Sequence, residues 1–334
     1  MATHNKILIL DFGSQFTQLI ARRTRELGVY SEIHPFDYSI NKIKADLTIK
    51  AIILSGGPNS VYEKDAPDID IELLELGIPI LGTCYGMQLI AHKYGGKVES
   101  AGRREYGQGE INIVKDSLLT KGLPASASVW MSHGDHLINT PVGFQQIISS
   151  VNCPYSGIAN VEKKLYGVQF HPEVYHSGEV GKALLANFLF EVAKVKADWN
   201  ANSFIEERCQ IIREQVGNGK VLCGLSGGVD SAVAAGIINK AVGDQIHCVF
   251  VDTGLLRMNE KQQVEEAFRG KFSMELTVVD ASELFLGRLK GVTDPESKRK
   301  IIGKSFIDVF DMSKNYLENK EIRVSVDMSV KVIR

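Results

Sequence analysis

The chain begins with short apolar runs that are separated by stretches of helical periodicity. Strands are expected at residues 6–11, 29–34, 51–54 and 78–81. The run at 6–11 is continuous rather than alternating, which is typical of a strand buried on both faces. Strands that alternate with helices predict right-handed βαβ units and a mostly parallel sheet, with ligands beyond the carboxyl ends of its strands.

The pattern changes after Lys97. Shorter alternating runs follow, separated by turn residues, at 109–114, 128–131, 145–149 and 165–170. They predict an added, partly antiparallel section of the same sheet. An amphipathic helix is expected at 178–196, where it closes a first domain.

A second alternation of strands and helices begins at residue 204. Strands are expected at 220–225, 247–252 and 275–279, with helices at 232–240, at 259–268 and from residue 294. The fold class is therefore α/β, with two domains that each contain a mostly parallel sheet flanked by helices. The predicted boundaries are 1–197 for the first domain, 198–203 for a linker, 204–311 for an incomplete second domain and 312–334 for a tail. Within the tail, residues 324–333 alternate weakly, in the manner of a strand, and receive no assignment.

Composition narrows the class of protein. The length of 334 residues suits two domains, and 44% hydrophobic with 23% charged residues is typical of a soluble globular protein. A net charge of −2 gives no reason to expect a nucleic-acid or membrane partner. No apolar run approaches a bilayer span and no signal peptide is visible, so a cytoplasmic location is expected. The five scattered cysteines fit a reducing compartment and argue against disulfides or structural zinc.

Cys84 lies between a predicted strand and a predicted helix, with Gly82 and Gly86 on either side. This is the pattern of a nucleophile elbow, with Cys in place of Ser. A thiol at a helix N-terminus is favoured as thiolate. A lone Cys in such a turn is more often a small buried hydrophobe, so Cys84 needs partners before it indicates catalysis.

The partners lie downstream, where residues 165–170 deliver His171 and, two positions later, Glu173. Residues i and i+2 of an extended chain point to the same side, so Glu173 can orient the imidazole of His171. His171 can then act as the base for Cys84. The three residues predict a catalytic triad.

Two further stretches have alternative interpretations. The glycines in 55–58 form either a tight turn or an oxyanion hole, and the neighbouring Cys84 favours the hole, with Gly57 and Tyr85 as backbone donors. Residues 132–135, Ser-His-Gly-Asp, are placed in a loop. They serve either substrate recognition or a surface turn.

The second domain contains Ser-Gly-Gly-Val-Asp-Ser between a strand and a helix. Glycines, hydroxyls and a helix N-terminus make an anion cradle, although the loop is not a Walker A motif. Asp230 suits a site that also holds a cation. The basic run 298–300 either binds phosphate or is solvated.

Both halves resemble known families. Residues 1–197 resemble class I glutamine amidotransferases of flavodoxin-like fold, with Cys84, His171 and Glu173 at the triad positions and Gln88 at the position that holds substrate glutamine. Residues from 204 resemble PP-loop ATP pyrophosphatases of the adenine nucleotide alpha hydrolase-like fold. This resemblance implies ATP binding by the following residues: Ser226, Gly227, Gly228, Val229, Asp230, Ser231, Ala232 and Val251.

The fusion in this order resembles the family of glutamine-hydrolysing GMP synthases. The resemblance implies that glutamine supplies ammonia for the ATP- and Mg²⁺-dependent amination of XMP through adenyl-XMP. It places XMP near Arg299 and Mg²⁺ near Asp230. The family is usually a homodimer, but its C-terminal pattern is not found after about residue 311, so a C-terminally truncated relative is expected. Two alternatives are a stand-alone glutaminase that supplies ammonia and an inactive binding protein.

Overall fold

The computed structural model describes residues 4–272 and 274–318. These residues divide into two compact units, and the boundary along the chain lies between Asn200 and Ala201. The first helix of the second unit already begins at Ala201, so the last three residues of the predicted linker are helical. The weakly alternating stretch 324–333 lies outside the described residues.

The described part of the first unit contains one sheet of nine strands. These are β1 (Lys6–Asp11), β2 (Tyr30–Pro35), β3 (Ile49–Leu54), β4 (Ile80–Thr83), β5 (Lys97–Ile113), β6 (Ser126–Asn139), β7 (Gln145–Ser150), β8 (Gly157–Asn160) and β9 (Leu165–Val168). Their order is β2-β1-β3-β4-β9-β8-β7-β5-β6. The pairs β2-β1, β1-β3, β3-β4 and β4-β9 are parallel. The pairs β9-β8, β8-β7, β7-β5 and β5-β6 are antiparallel. The α/β class and the added antiparallel section are confirmed.

Helices cover both faces of this sheet. They are α1 (Thr17–Glu26), α2 (Ile40–Ala45), α3 (Ile71–Leu74), α4 (Tyr85–Lys93) and α5 (Gly178–Ala186), which continues as a π-helical stretch at Asn187–Val192. Strand β1 shows why its apolar run is continuous. Ile7 and Ile9 pack into the core on one face, and Leu8 and Leu10 pack into the core on the other.

The second unit repeats the plan on a smaller scale. Its described strands are β10 (Val221–Leu225), β11 (Ile246–Asp252) and β12 (Glu275–Asp280), all parallel in that order. Its helices are α6 (Ala201–Val216), α7 (Val229–Val242), α8 (Glu260–Glu265), α9 (Ser282–Leu289) and α10 (Pro295–Glu318). A π-helical stretch, Glu266–Lys271, extends α8.

Several local expectations differ from the structure. Residues 132–135 do not form a loop, because they lie within β6 and pair with β5. Their polar side chains and glycine give no apolar alternation from which a strand could be predicted. The short elements α2, α3, β8 and α9 were not predicted, since each offers too few residues for a clear period. No helix among the described residues is long and apolar enough to cross a membrane.

Candidate active site

Cys84 occupies a sharp turn between β4 and α4. Its backbone has φ +50° and ψ −107°, a conformation that L-residues rarely adopt. The turn is fixed by the sheet, because the Cys84 N–H donates to the carbonyl of Val168 in β9 at 2.8 Å. The side chain is 6% exposed. This is the strained geometry expected of a nucleophile elbow.

His171 and Glu173 follow β9 and reach the same turn. His171 Nδ1 lies 2.7 Å from Glu173 Oε1, and the two side chains are almost completely buried. The His171 side chain also interacts electrostatically with Cys84. The main chain of His171 is held by Trp130, whose carbonyl accepts its N–H at 2.9 Å. The structure therefore brings together the three residues predicted as a triad.

The Glu173 carboxylate determines the charge state of His171. Burial alone would lower the pKa of His171, but Glu173 and the contact with Cys84 outweigh burial and raise it to about 10. At neutral pH His171 is therefore an imidazolium. Its conjugate base, the neutral imidazole, is basic enough to take the proton of a thiol, and the imidazolium is the form that then holds this proton.

Gly56 keeps the space between nucleophile and base open. A Cβ atom at this position would lie 2.9 Å from His171 Cε1 and 3.6 Å from Cys84 Cβ. Any side chain at position 56 would therefore displace the imidazole. The ring of Phe16 packs edge-on against the other side of His171, with centroids 4.9 Å apart.

A cavity of about 510 Å³ opens above Cys84. Gly57 and Tyr85, the predicted oxyanion donors, line it together with Gln88 and His171. Residues 132–135 also line the cavity and belong to β6. The interpretation of these residues as a surface turn is therefore wrong. The remaining lining residues are mostly polar and include Ser14, Gln15, Asn59, Ser60, Arg104 and Tyr106.

Asp135 is anchored at the wall of the cavity. Its carboxylate accepts hydrogen bonds from the hydroxyl groups of Ser60 and, at 3.2 Å, Tyr62. Its main-chain carbonyl accepts the side-chain amide of Gln88 at 3.0 Å. Sequence reasoning did not find Ser60 or Tyr62, because they come from a loop of another part of the chain. No local pattern connects them with Asp135.

His133 and Glu105 form a buried pair next to this wall. His133 Nε2 lies 3.0 Å from Glu105 Oε2, but the two atoms are not in hydrogen-bond geometry. His133 Nδ1 lies 3.0 Å from the carbonyl of Asp135. Burial lowers the pKa of His133 and outweighs the nearby carboxylate. His133 therefore remains neutral at physiological pH and serves as part of the wall.

In the second unit, the predicted anion cradle connects β10 with α7. Ser231 Oγ accepts the N–H of Ser226 at 3.2 Å and donates to the carbonyl of Gly228 at 3.0 Å. Gly227 has φ +77°, which favours glycine. Helix α7 begins at Val229, so Asp230 lies exposed in its first turn. A single exposed carboxylate beside the predicted anion cradle is a ligand of the type that Mg²⁺ takes, with its other oxygens from phosphate and water.

Other predicted residues of this unit lie in β11 and α10. Val251 is buried near the end of β11. Residues 298–300 lie near the start of α10, where a helix was expected. Arg299 is exposed there and pairs with Glu296 at 2.6 Å.

Comparison with known proteins places the chain in a family. Residues 8–192 match the model of the glutamine amidotransferase class-I family, and residues 204–300 match the NAD synthase family model. The first match covers more than half of the chain. The chain belongs to the class-I glutamine amidotransferase family.

Individual relatives are similar to this chain over almost its whole length, across both units. The chain is 55% identical over 315 residues to the glutamine-hydrolysing GMP synthase of Brachyspira hyodysenteriae, covering 94% of this chain and 61% of the relative. It is 53% identical to that of Geobacillus kaustophilus, covering 98% and 64% respectively. The predicted resemblance to this family is confirmed, and the chain spans about three fifths of the length of these curated relatives.

A solved structure from Thermoplasma acidophilum, described as one subunit of a GMP synthase, is also similar. It is 32% identical and covers 61% of this chain and 98% of its own, with a TM-score of 0.48.

Proposed function

We propose that the first unit hydrolyses glutamine and that the chain acts in glutamine-dependent GMP synthesis. The observation that carries the glutaminase assignment is the buried contact series Cys84–His171–Glu173 at a strained elbow. A surface cysteine would have neither the imidazolium nor the constrained backbone.

In the first half-reaction, the Cys84 thiolate attacks the side-chain amide carbon of glutamine. The carbonyl oxygen becomes an oxyanion, for which the N–H groups of Gly57 and Tyr85 are the donors. The imidazolium of His171 gives its proton to the amide nitrogen, which leaves as ammonia. A glutamyl thioester remains on Cys84.

In the second half-reaction, His171 takes a proton from water as the water attacks the thioester. Glutamate leaves and the thiolate is restored. Glu173 keeps the imidazole in one orientation through both steps, since its bond to Nδ1 leaves Nε2 toward Cys84 and the substrate. Gln88 lies in the cavity wall and orients the substrate side chain.

For the second unit, we propose ATP binding with the phosphates on the loop 226–231. The glycine-rich backbone of this loop and the N-terminus of α7 suit a pyrophosphate. When bound at Asp230, Mg²⁺ would neutralise charge on the phosphates. On the resemblance to GMP synthases, we further propose that XMP binds near Arg299 and that its O2 is adenylated. A cytoplasmic location is part of the same proposal.

A single incubation with glutamine, ATP, Mg²⁺ and XMP tests the proposal when glutamate and GMP are both assayed. Glutamate and GMP together support the complete assignment. Glutamate without GMP supports the glutaminase alone and favours a chain that supplies ammonia. Cys84→Ala is the control, and glutamate release at the parent rate in this variant would rule out the proposed nucleophile.

A further inference from the structure

Gln169 is a buried polar residue for which the mechanism above has no role. It lies between β9 and His171, and its side chain is completely buried. Gln169, His171 and Glu173 occupy alternate positions of the segment that follows β9. A buried amide must be hydrogen-bonded, and the partners of Gln169 indicate what it does.

The orientation of the Gln169 amide follows from its neighbours. The carbonyl of Asp135 can only accept, so the Gln88 atom 3.0 Å away from it is the nitrogen. The same Gln88 nitrogen lies 3.1 Å from Gln169, so the Gln169 atom that faces it is the oxygen. The amide nitrogen of Gln169 therefore points the other way.

That nitrogen faces the nucleophile. Gln169 Nε2 lies 3.7 Å from Cys84 Sγ, within the range of an N–H···S hydrogen bond. The Gln169 main chain is also fixed, because its N–H donates to the carbonyl of Ser156 at 2.9 Å. On the other side, the thiol lies 3.6 Å from the carbonyl of Ser132.

We propose that Gln169 is a positioning residue that donates its amide N–H to the sulfur of Cys84 and connects this sulfur to the substrate-binding amide of Gln88. A donor toward sulfur stabilises the thiolate rather than the thiol. The bond from Gln88 fixes the Gln88 amide oxygen toward the cavity. Recognition of glutamine and activation of the nucleophile thus share one chain of hydrogen bonds. This role rests on the proposed glutaminase function.

The test uses the full chain and measures alkylation of Cys84 by iodoacetamide at pH 7, with peptide mass spectrometry as the readout. Iodoacetamide does not require glutamine recognition, and Cys223 in the other unit serves as the reference thiol. Gln169→Met removes both the amide oxygen and the amide nitrogen and keeps a side chain of similar length. We expect Cys84 to react about tenfold more slowly in this variant. Gln146→Met makes the same change in β7, away from the site, and should leave the rate unchanged.

Gln169→Glu separates the hydrogen bond to Cys84 from the hydrogen bond to Gln88. It keeps an oxygen for Gln88 but has no amide donor, so alkylation should slow while the KM for glutamine stays within about twofold of the parent. Gln169→Met should raise KM as well. If Gln169→Met does not fold, Gln169→Glu alone decides. Alkylation of Cys84 within about twofold of the parent rate in a folded variant would overturn the role of Gln169.

The proposed function can fail separately. A parent chain that releases no glutamate, yet shows the expected alkylation difference, would refute the glutaminase assignment and retain the hydrogen bond to Cys84.

Discussion

At the scale of single residues, the site depends on how two buried groups share one proton. Glu173 lies fully buried against His171 and raises its pKa to about 10 against the effect of burial. The unfolded chain returns His171 to about 6.5. The pair therefore couples the stability of the first unit to pH.

The sign of this coupling gives a prediction for Glu173→Gln. In the parent, the stabilisation by charged His171 is complete below about pH 6.5 and disappears as pH rises toward 10. The free energy of unfolding should therefore fall over this window. Without the carboxylate, burial lowers the pKa of His171 and the fall should flatten. Urea unfolding at pH 6.5 and 9.5 measures both slopes, followed by fluorescence of Trp130 and Trp199, which both lie in the first unit.

Equal slopes in parent and variant would contradict this assignment of the charge. Glutamine hydrolysis provides a second readout. It should fall by about 100-fold or more in Glu173→Gln, since His171 loses both its orientation and its proton.

At the scale of elements, the elbow depends on how closely α4 approaches the sheet. Gly82 and Gly86 have no room for a side chain, because a Cβ on Gly82 would lie 2.4 Å from the Gly86 carbonyl carbon. A Cβ on Gly86 would lie 2.4 Å from the carbonyl oxygen of Leu54 in β3. The backbone of the sheet cannot yield as a flexible side chain can.

Gly86→Ala tests this packing. Ala is the better helix former by about 1 kcal/mol, but the collision should cost more, and we expect a net loss of about 1–3 kcal/mol in the unfolding of the first unit. Tryptophan fluorescence in urea measures it. Gly236→Ala in α7 is the matched control, because a Cβ there meets nothing within 4 Å. That variant should leave the tryptophan transition unchanged, and a Gly86→Ala chain as stable as the parent would contradict the close contact.

At the scale of the whole molecule, each unit has its own sheet and its own cores. The triad lies entirely in the first unit, and the anion cradle lies entirely in the second. Binding at the cradle and hydrolysis at Cys84 therefore use separate sets of contacts.

Asp230→Asn tests this separation. Loss of the carboxylate should weaken binding of ATP in the presence of Mg²⁺ by roughly tenfold, as measured by calorimetry. Glutamine hydrolysis in the absence of ATP should stay at the parent rate. Asp244→Asn, at the other end of α7, is the control for a changed surface charge. Unchanged ATP affinity in Asp230→Asn would remove this residue from the proposed cation site.

The sequence alone predicted those parts of the molecule whose signals are local. Continuous apolar runs give buried parallel strands, and β1 occupies the range expected, Lys6–Asp11. A cysteine between glycines and a His-Pro-Glu segment indicate their chemistry within a few residues. The anion cradle is equally local, since one loop and one helix N-terminus form it. Residues 132–135 were wrongly predicted as a loop, because a polar strand shows no alternation of apolar residues.

Tertiary structure decided everything that requires distant segments to meet. It placed Asp135 beside Ser60 and Tyr62, and it brought Gln169 between Gln88 and Cys84. It also decided the charge of His171, because burial and the carboxylate act in opposite directions and only the packed site determines which prevails. The sequence specifies which groups can react. The fold determines the distances between these groups, their burial and therefore their protonation states.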